Sequence, residues 1–295
     1  METIAELCRR LWRSVKHSIS APEAAGGATG VAASSADRPE TAPVEIPAFV
    51  EPLIDSVDIS CRTREDLADG ELDPQSLLHG IESYIGWKGA PGEDYYHSAL
   101  VVPAWLKQEC ASGGFEWGRH LILTRTIERE TTHRKLMAFL HEYCANSAGP
   151  PDEAEWKLGQ LGHWDFEDID SGMPGRPRWH ISARLIDIWS PDAKLESFSP
   201  PGDFGIRVRV RIGAEGGIEA GDDSAIFEFL LCTPDWLAKH RDLSQLLLCS
   251  NIAFMGTFDL EVLRRNVGEA CGGLKGYTAE EAIRKMSRYG ERIAM

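Results

Sequence analysis

Nowhere in this sequence of 295 residues do 18 apolar residues run together, so no helix in it is expected to span a bilayer. Paired cysteines are missing too. The seven cysteines are scattered without one Cys-x-x-Cys spacing, which argues against a disulfide framework and a zinc ribbon and suits a reducing cytosol. Cations are scarce: 31 Lys and Arg stand against 46 Asp and Glu, a net charge of −15. Phosphate binding is driven by Lys and Arg, so nucleic acid is not expected as a direct partner. A field of that sign either steers a basic protein partner or simply keeps the chain soluble. No phosphate-binding loop, no Gly-x-Ser-x-Gly turn and no dinucleotide-binding glycine pattern occurs, and His141-Glu142 lacks the second histidine of a metalloprotease helix. Arg9, Arg10 and Arg13 stand where a secretory leader needs its apolar region. The expectation is a cytoplasmic protein that is not an enzyme and needs no cofactor or metal.

What is present is present twice. Val101-Val102-Pro103-Ala104-Trp105-Leu106 returns as Leu231-Cys232-Thr233-Pro234-Asp235-Trp236-Leu237. Before each lies an apolar run ending in Ile-Gly, at Ile85-Gly86 and Ile212-Gly213, followed by a glycine-rich, acidic connection. After each lie two helical patterns, closing at Leu161-Gly162 and Tyr289-Gly290. The spacing of about 130 residues is far too long for a solenoid or propeller repeat, so this is a duplicated domain.

Residues 1–19 carry Ile4, Leu7, Leu11, Val15 and Ile19 at helical spacing and predict a short amphipathic helix. Residues 20–50, rich in Ala, Gly, Ser and Pro, predict a flexible linker. The first copy is assigned to residues 51–175 and the second to 176–295. Strands are predicted over 77–85, 95–102 and 120–126, with loop 86–94 between the first two, then helices from Thr131 and from Pro150-Pro151. In the second copy Ile206, Val208, Val210 and Ile212 alternate with Arg207, Arg209 and Arg211, a half-buried strand. Loop 213–223, strands over 225–232 and 246–254, a helix from Thr257 and a last helix capped by Thr278 with Glu281 follow. Strands first and helices after make each copy α+β, a mostly antiparallel sheet with helices on one face. Trp105 and Trp236 are expected to be buried alike.

Three groups carry potential chemistry. His133, His141 and Cys144 share one predicted helix; exposed histidines and a buried cysteine explain them better than a metal does. The stripe Arg207, Arg209 and Arg211 could take phosphate, but a solvated sheet face paired with acids suits the negative molecule better. The densest feature is acidic: Asp152, Glu153, Glu155, Asp165, Glu167, Asp168 and Asp170 face only Lys157, with Trp164 and Phe166 interleaved. Charge runs are usually solvated faces, yet acids beside aromatics also make a protein-binding surface. Glu153, Glu155, Asp165, Glu167 and Asp168 are therefore the candidate partner-binding residues. The second copy, with Gly290-Glu291-Arg292-Ile293 at this place, is expected to have lost the element.

The order Ile85-Gly86-x-Lys88-Gly89, Pro103-x-Trp105-Leu106, Gly118-Arg119-His120-Leu121 and Leu158-x-x-Leu161-Gly162-x-Trp164-Asp165-Phe166-Glu167-Asp168 resembles the immunity protein 8 family. The resemblance covers about residues 55–170. A divergent second copy, about 183–293, keeps Ile212-Gly213 and Cys232-Thr233-Pro234-Asp235-Trp236-Leu237 but has Cys249-Ser250-Asn251 near the Gly-Arg-His place. Asp165 stands where the family usually has Glu. The resemblance implies a bacterial immunity protein that neutralises a secreted polymorphic toxin by tight binding, the partner being a cognate toxin domain. Many toxins of such systems are basic nucleases, which an acidic inhibitor could plug in place of nucleic acid, and the sequence leaves open whether this one is. The alternatives are an adaptor that bridges partners with its two copies, and a hydrolase whose site no motif reveals.

Overall fold

The computed structural model describes residues 49–61, 78–88, 93–111, 114–164, 181–215, 224–276 and 278–293. The expected helix over 1–19 and nearly all of the linker over 20–50 lie outside them. Residues from Ala48 onward form one compact unit.

The first half begins with β1 (Pro52–Cys61), β2 (Leu78–Trp87) and β3 (Glu93–Val101), a three-stranded antiparallel meander. Helix α1 (Pro103–Cys110) follows, then β4 (Phe115–Trp117) and β5 (Leu121–Leu123). Helices α2 (Arg129–Ser147) and α3 (Pro151–Leu161) and the short β6 (His163–Trp164) complete it. The second half repeats the order with one added strand, β12: β7 (Ile181–Trp189), β8 (Gly205–Glu215), β9 (Ser224–Cys232), α4 (Pro234–His240), β10 (Leu247–Leu248), β11 (Ile252–Met255), α5 (Leu260–Gly273), β12 (Lys275–Gly276), α6 (Ala279–Arg284) and β13 (Glu291–Ile293).

Repetition extends to irregularities. β1 slips register against β2 between Ile54 and Ser56, and β7 slips against β8 between Leu185 and Asp187. The parallel pair β3–β5 recurs as β9–β11, within otherwise antiparallel sheets. Each copy is thus α+β, as expected. Strands β1 and β7 are absent from the sequence-based scheme. The single strand expected over 246–254 is two strands broken by a turn, and the helix expected from Thr257 starts at Leu260, where the Asp259 carboxylate accepts from the backbone N–H of Glu261 and Val262.

Each half has a core between its sheet and its last two long helices. In the first, Ile81, Ile85, Tyr96, Leu100 and Ile122 meet Leu136, Leu140, Cys144, Leu158 and Leu161. In the second, Val208, Val210, Phe227, Phe229 and Leu231 meet Leu263, Val267, Cys271, Ala282 and Met286. The alternation and the helical stripes seen in sequence account for both sets.

The halves are joined by exchanged strands. The first sheet runs β1-β2-β3-β5-β10, so its last strand comes from the second half. The other runs β12-β7-β8-β9-β11-β4 and ends on a strand of the first half. Phe115 and Trp117 pack into the second core, and Leu246 and Leu248 into the first. Helix α1 lies against α4, tied by Lys107 to Asp235 at 2.5 Å. The tryptophans of these two helices differ, against expectation. Trp105 is buried, whereas Trp236 is half-buried, its ring stacked on the exposed His240 ring 4.3 Å away.

Candidate partner-binding surface

Helix α3 is the scaffold of the acidic candidate site. Pro151 opens it at a position whose missing N–H costs nothing. Ala154, Leu158 and Leu161 point into the first core. Tyr143 of α2 donates its hydroxyl to the Lys157 carbonyl at 2.7 Å and fixes the helix from the side. The outward face then presents Glu153, exposed and ion-paired to Lys157 at 3.0 Å, and Trp156, 39% exposed. Glu155 lies on the same helix; its side chain is outside the described set.

The helix stops at Gly162, whose backbone crosses β3 so closely that a β-carbon would stand 2.9 Å from the His97 carbonyl oxygen. His163 and Trp164 then pair with His97 and Tyr96. Asp165, Glu167 and Asp168 follow directly in sequence and lie outside the described residues. Of the five candidates, the structure therefore places Glu153 and Glu155 on one helix. Trp156 was missed in sequence. Its signal was its position two residues after the inward-facing Ala154 and two before Leu158, which turns it to the wet side of the stripe.

The second copy lacks the acidic and aromatic motif but keeps the helix and closing strand that carry it. Glu281 and Lys285 pair at 3.5 Å, as Glu153 and Lys157 do. Gly290 crosses Glu228 as Gly162 crosses His97, again with 2.9 Å for an added β-carbon, and β13 pairs with β9 as β6 pairs with β3. Two backbone hydrogen-bonding strands demand little of side-chain identity, so the strand survives although the motif does not. What changed is the surface: Ile283, buried, and Arg284 stand where the first copy has Glu155 and Trp156.

The other candidates resolve into structural roles. Arg207 meets Asp192 at 2.6 Å and Arg209 meets Glu228 at 2.7 Å, while Arg211 lies over the Trp189 ring, 6.0 Å from its centre. The hydrogen bonds and charge of Arg207 hold the Asp192 carboxyl below its ordinary range. The stripe is a sheet face on which Arg207 and Arg209 pair with acids of their own half and Arg211 lies on a ring. His133 and His141 are exposed on α2 and Cys144 is buried beneath them. Burial pushes the thiols of Cys110, Cys144, Cys249 and Cys271 up to about 12, which leaves them protonated and poorly nucleophilic at neutral pH. Among the described residues no three His, Cys, Asp or Glu side chains are grouped to hold a metal ion, and no helix is long and apolar enough to cross a membrane.

Against known families, the model for immunity protein 8 matches residues 64–169 and again residues 183–291. The chain belongs to the immunity protein 8 family. Membership implies an immunity protein directed against a toxin. No curated protein and no solved structure matches the chain. In this immunity protein 8 family member the first match runs through α3 and past Asp165, Glu167 and Asp168, and the second ends within β13. Both copies thus carry the family unit up to its closing strand.

Proposed function

We propose that the protein neutralises one cognate secreted toxin by binding it stoichiometrically, through the acidic end of its first copy. The double match to the immunity family carries this reading. The surface is α3 with Glu153, Glu155 and the exposed Trp156, continued by Asp165, Glu167 and Asp168. An aromatic side chain supplies contact area that desolvates on binding, and the surrounding carboxylates meet Lys or Arg of the partner. The second copy supports this surface without duplicating it, since Arg284 replaces Trp156 there.

The net charge of −15 suits a basic toxin domain. A nuclease is the natural case: its substrate groove is cationic, and an acidic inhibitor can occupy it in place of nucleic acid. The test is co-expression with the cognate toxin domain. Growth arrest by the toxin alone, rescue by the pair and a single stoichiometric complex on native mass spectrometry are expected. Rescue without a complex would replace inhibition by an enzymatic or adaptor role.

A further inference from the structure

The sequence Gly118-Arg119-His120 is not explained by the toxin-binding surface. It forms the turn between β4 and β5, whose strands serve different sheets. β5 pairs in parallel with β3 of its own copy, while β4 pairs with β11 of the other. The second copy does the reverse through Cys249-Ser250-Asn251, with β11 on β9 and β10 on β5.

The two crossings mirror each other. Phe115, Glu116 and Trp117 face Met255, Phe254 and Ala253; Leu123 and Ile122 face Leu247 and Leu248. The Gly118 N–H donates to the Ile252 carbonyl at 2.7 Å, and the Cys249 N–H donates to the Leu121 carbonyl at 2.9 Å. Equivalent residues exchange equivalent bonds, the signature of a two-fold interface in which one patch meets itself. His120 adopts a positive φ of 65° to make its turn.

The mirror breaks at the side chains. Trp117 stands edge-on to Phe229 at 5.1 Å and to Tyr289 at 4.8 Å, both in the second copy. Arg119 donates to the Tyr289 hydroxyl at 3.1 Å and lies over its ring, 5.2 Å from the centre. The other crossing has Leu248 and Ser250 at the places of Trp117 and Arg119. One crossing is therefore aromatic and cationic, the other aliphatic.

We infer that the segment Trp117–His120 is a docking device whose partner is another copy of the same domain, and that this chain is such a pair closed on itself. Each core is completed by a strand of the other copy, so the working unit is the pair. The unlike crossings fix which copy takes which side. An exchanged pair of identical domains has no such preference, whereas Trp117 and Arg119 fit only the Phe229–Tyr289 side.

The test uses the full chain without a toxin and reads amide hydrogen exchange by mass spectrometry. Trp117→Ala changes a residue of the first copy, yet exchange in β9 and β13 of the second should accelerate at least about tenfold, no less than in α2 and α3. Should that variant fail to fold, Arg119→Ala removes only the outer contact, and the Tyr289 region should exchange several-fold faster with α2 unchanged. If either substitution leaves the second copy's exchange as in the parent, the copies are independent domains and the inference falls.

Discussion

Gly118 faces Cys249, its own counterpart in the other copy, so closely that a β-carbon on the glycine would stand 2.7 Å from the cysteine's Cβ and 2.7 Å from the Ile252 carbonyl oxygen. Two backbones cross where a side chain has no room. Gly118→Ala is expected to cost about 1–3 kcal/mol through forced displacement of backbone. A urea titration should show the lower midpoint, with both cores lost in one transition. A variant as stable as the parent would mean that the crossing yields easily.

Glu116, beside that crossing on β4, makes the fold sensitive to alkali. Its carboxyl titrates at about 4.5 when unfolded; burial, and next the charge of Glu109, push it up to about 8 in the fold. Between those values the folded chain holds a proton that the unfolded chain has released. Stability from this group therefore falls as pH rises from about 4.5 towards 8 and levels off above. Glu116→Gln keeps the site neutral. Thermal midpoints measured from pH 6 to 9 should fall less in this variant, which should be the more stable protein at pH 9 by on the order of 2 kcal/mol. Parallel curves for the two proteins would remove Glu116 from the account.

For the partner surface, changing Asp165, Glu167 and Asp168 together to Ala should weaken toxin binding at least about tenfold, or about 1.4 kcal/mol. Trp156→Ala should weaken it similarly with little change in the thermal midpoint, since the ring is 39% exposed. Leu158→Ala, in the core beneath, should instead lower stability by about 2–5 kcal/mol. Calorimetric titration alongside thermal melts separates these outcomes. Unchanged affinity in the first two variants would move the interface elsewhere, first to the hairpin loops 86–94 and 213–223.

Association with the toxin should slow as salt rises. The Debye length shrinks from about 10 Å at 0.1 M to about 3 Å at 1 M, which removes long-range steering between opposite charges. Stopped-flow rates at the two salt concentrations measure the effect. A rate indifferent to salt would leave inhibition standing and exclude a strongly basic partner.

Some elements were legible because their signal is local. Ile206, Val208, Val210 and Ile212 alternate strictly, and β8 buries all four. Leu263, Val267 and Cys271 keep one helical face, and α5 buries them too. The Thr278 cap shows directly, its hydroxyl accepting from the Glu281 N–H at 3.1 Å. Strands β1 and β7 were not legible, and the cause is their shared irregularity. A bulge shifts the alternation by one residue, so Ala183 and Ile188, both buried on β7, sit five apart, out of phase with a two-residue period. No period-two pattern survives in such a strand.

The chain's own residues determined that there are two copies, which strands form the hairpins, which helix faces turn inward and where the acids gather. These follow from periodicity, caps and turn chemistry, all set within a few residues. Tertiary structure alone decided that β4 and β10 change places, that Arg119 reaches Tyr289 of the other copy and that Glu116 is half-buried beside Glu109. Strands of two or three residues carry almost no pattern, and their partners are chosen by which open sheet edge lies nearest. That choice is made between residues far apart in sequence, where periodicity has nothing to say.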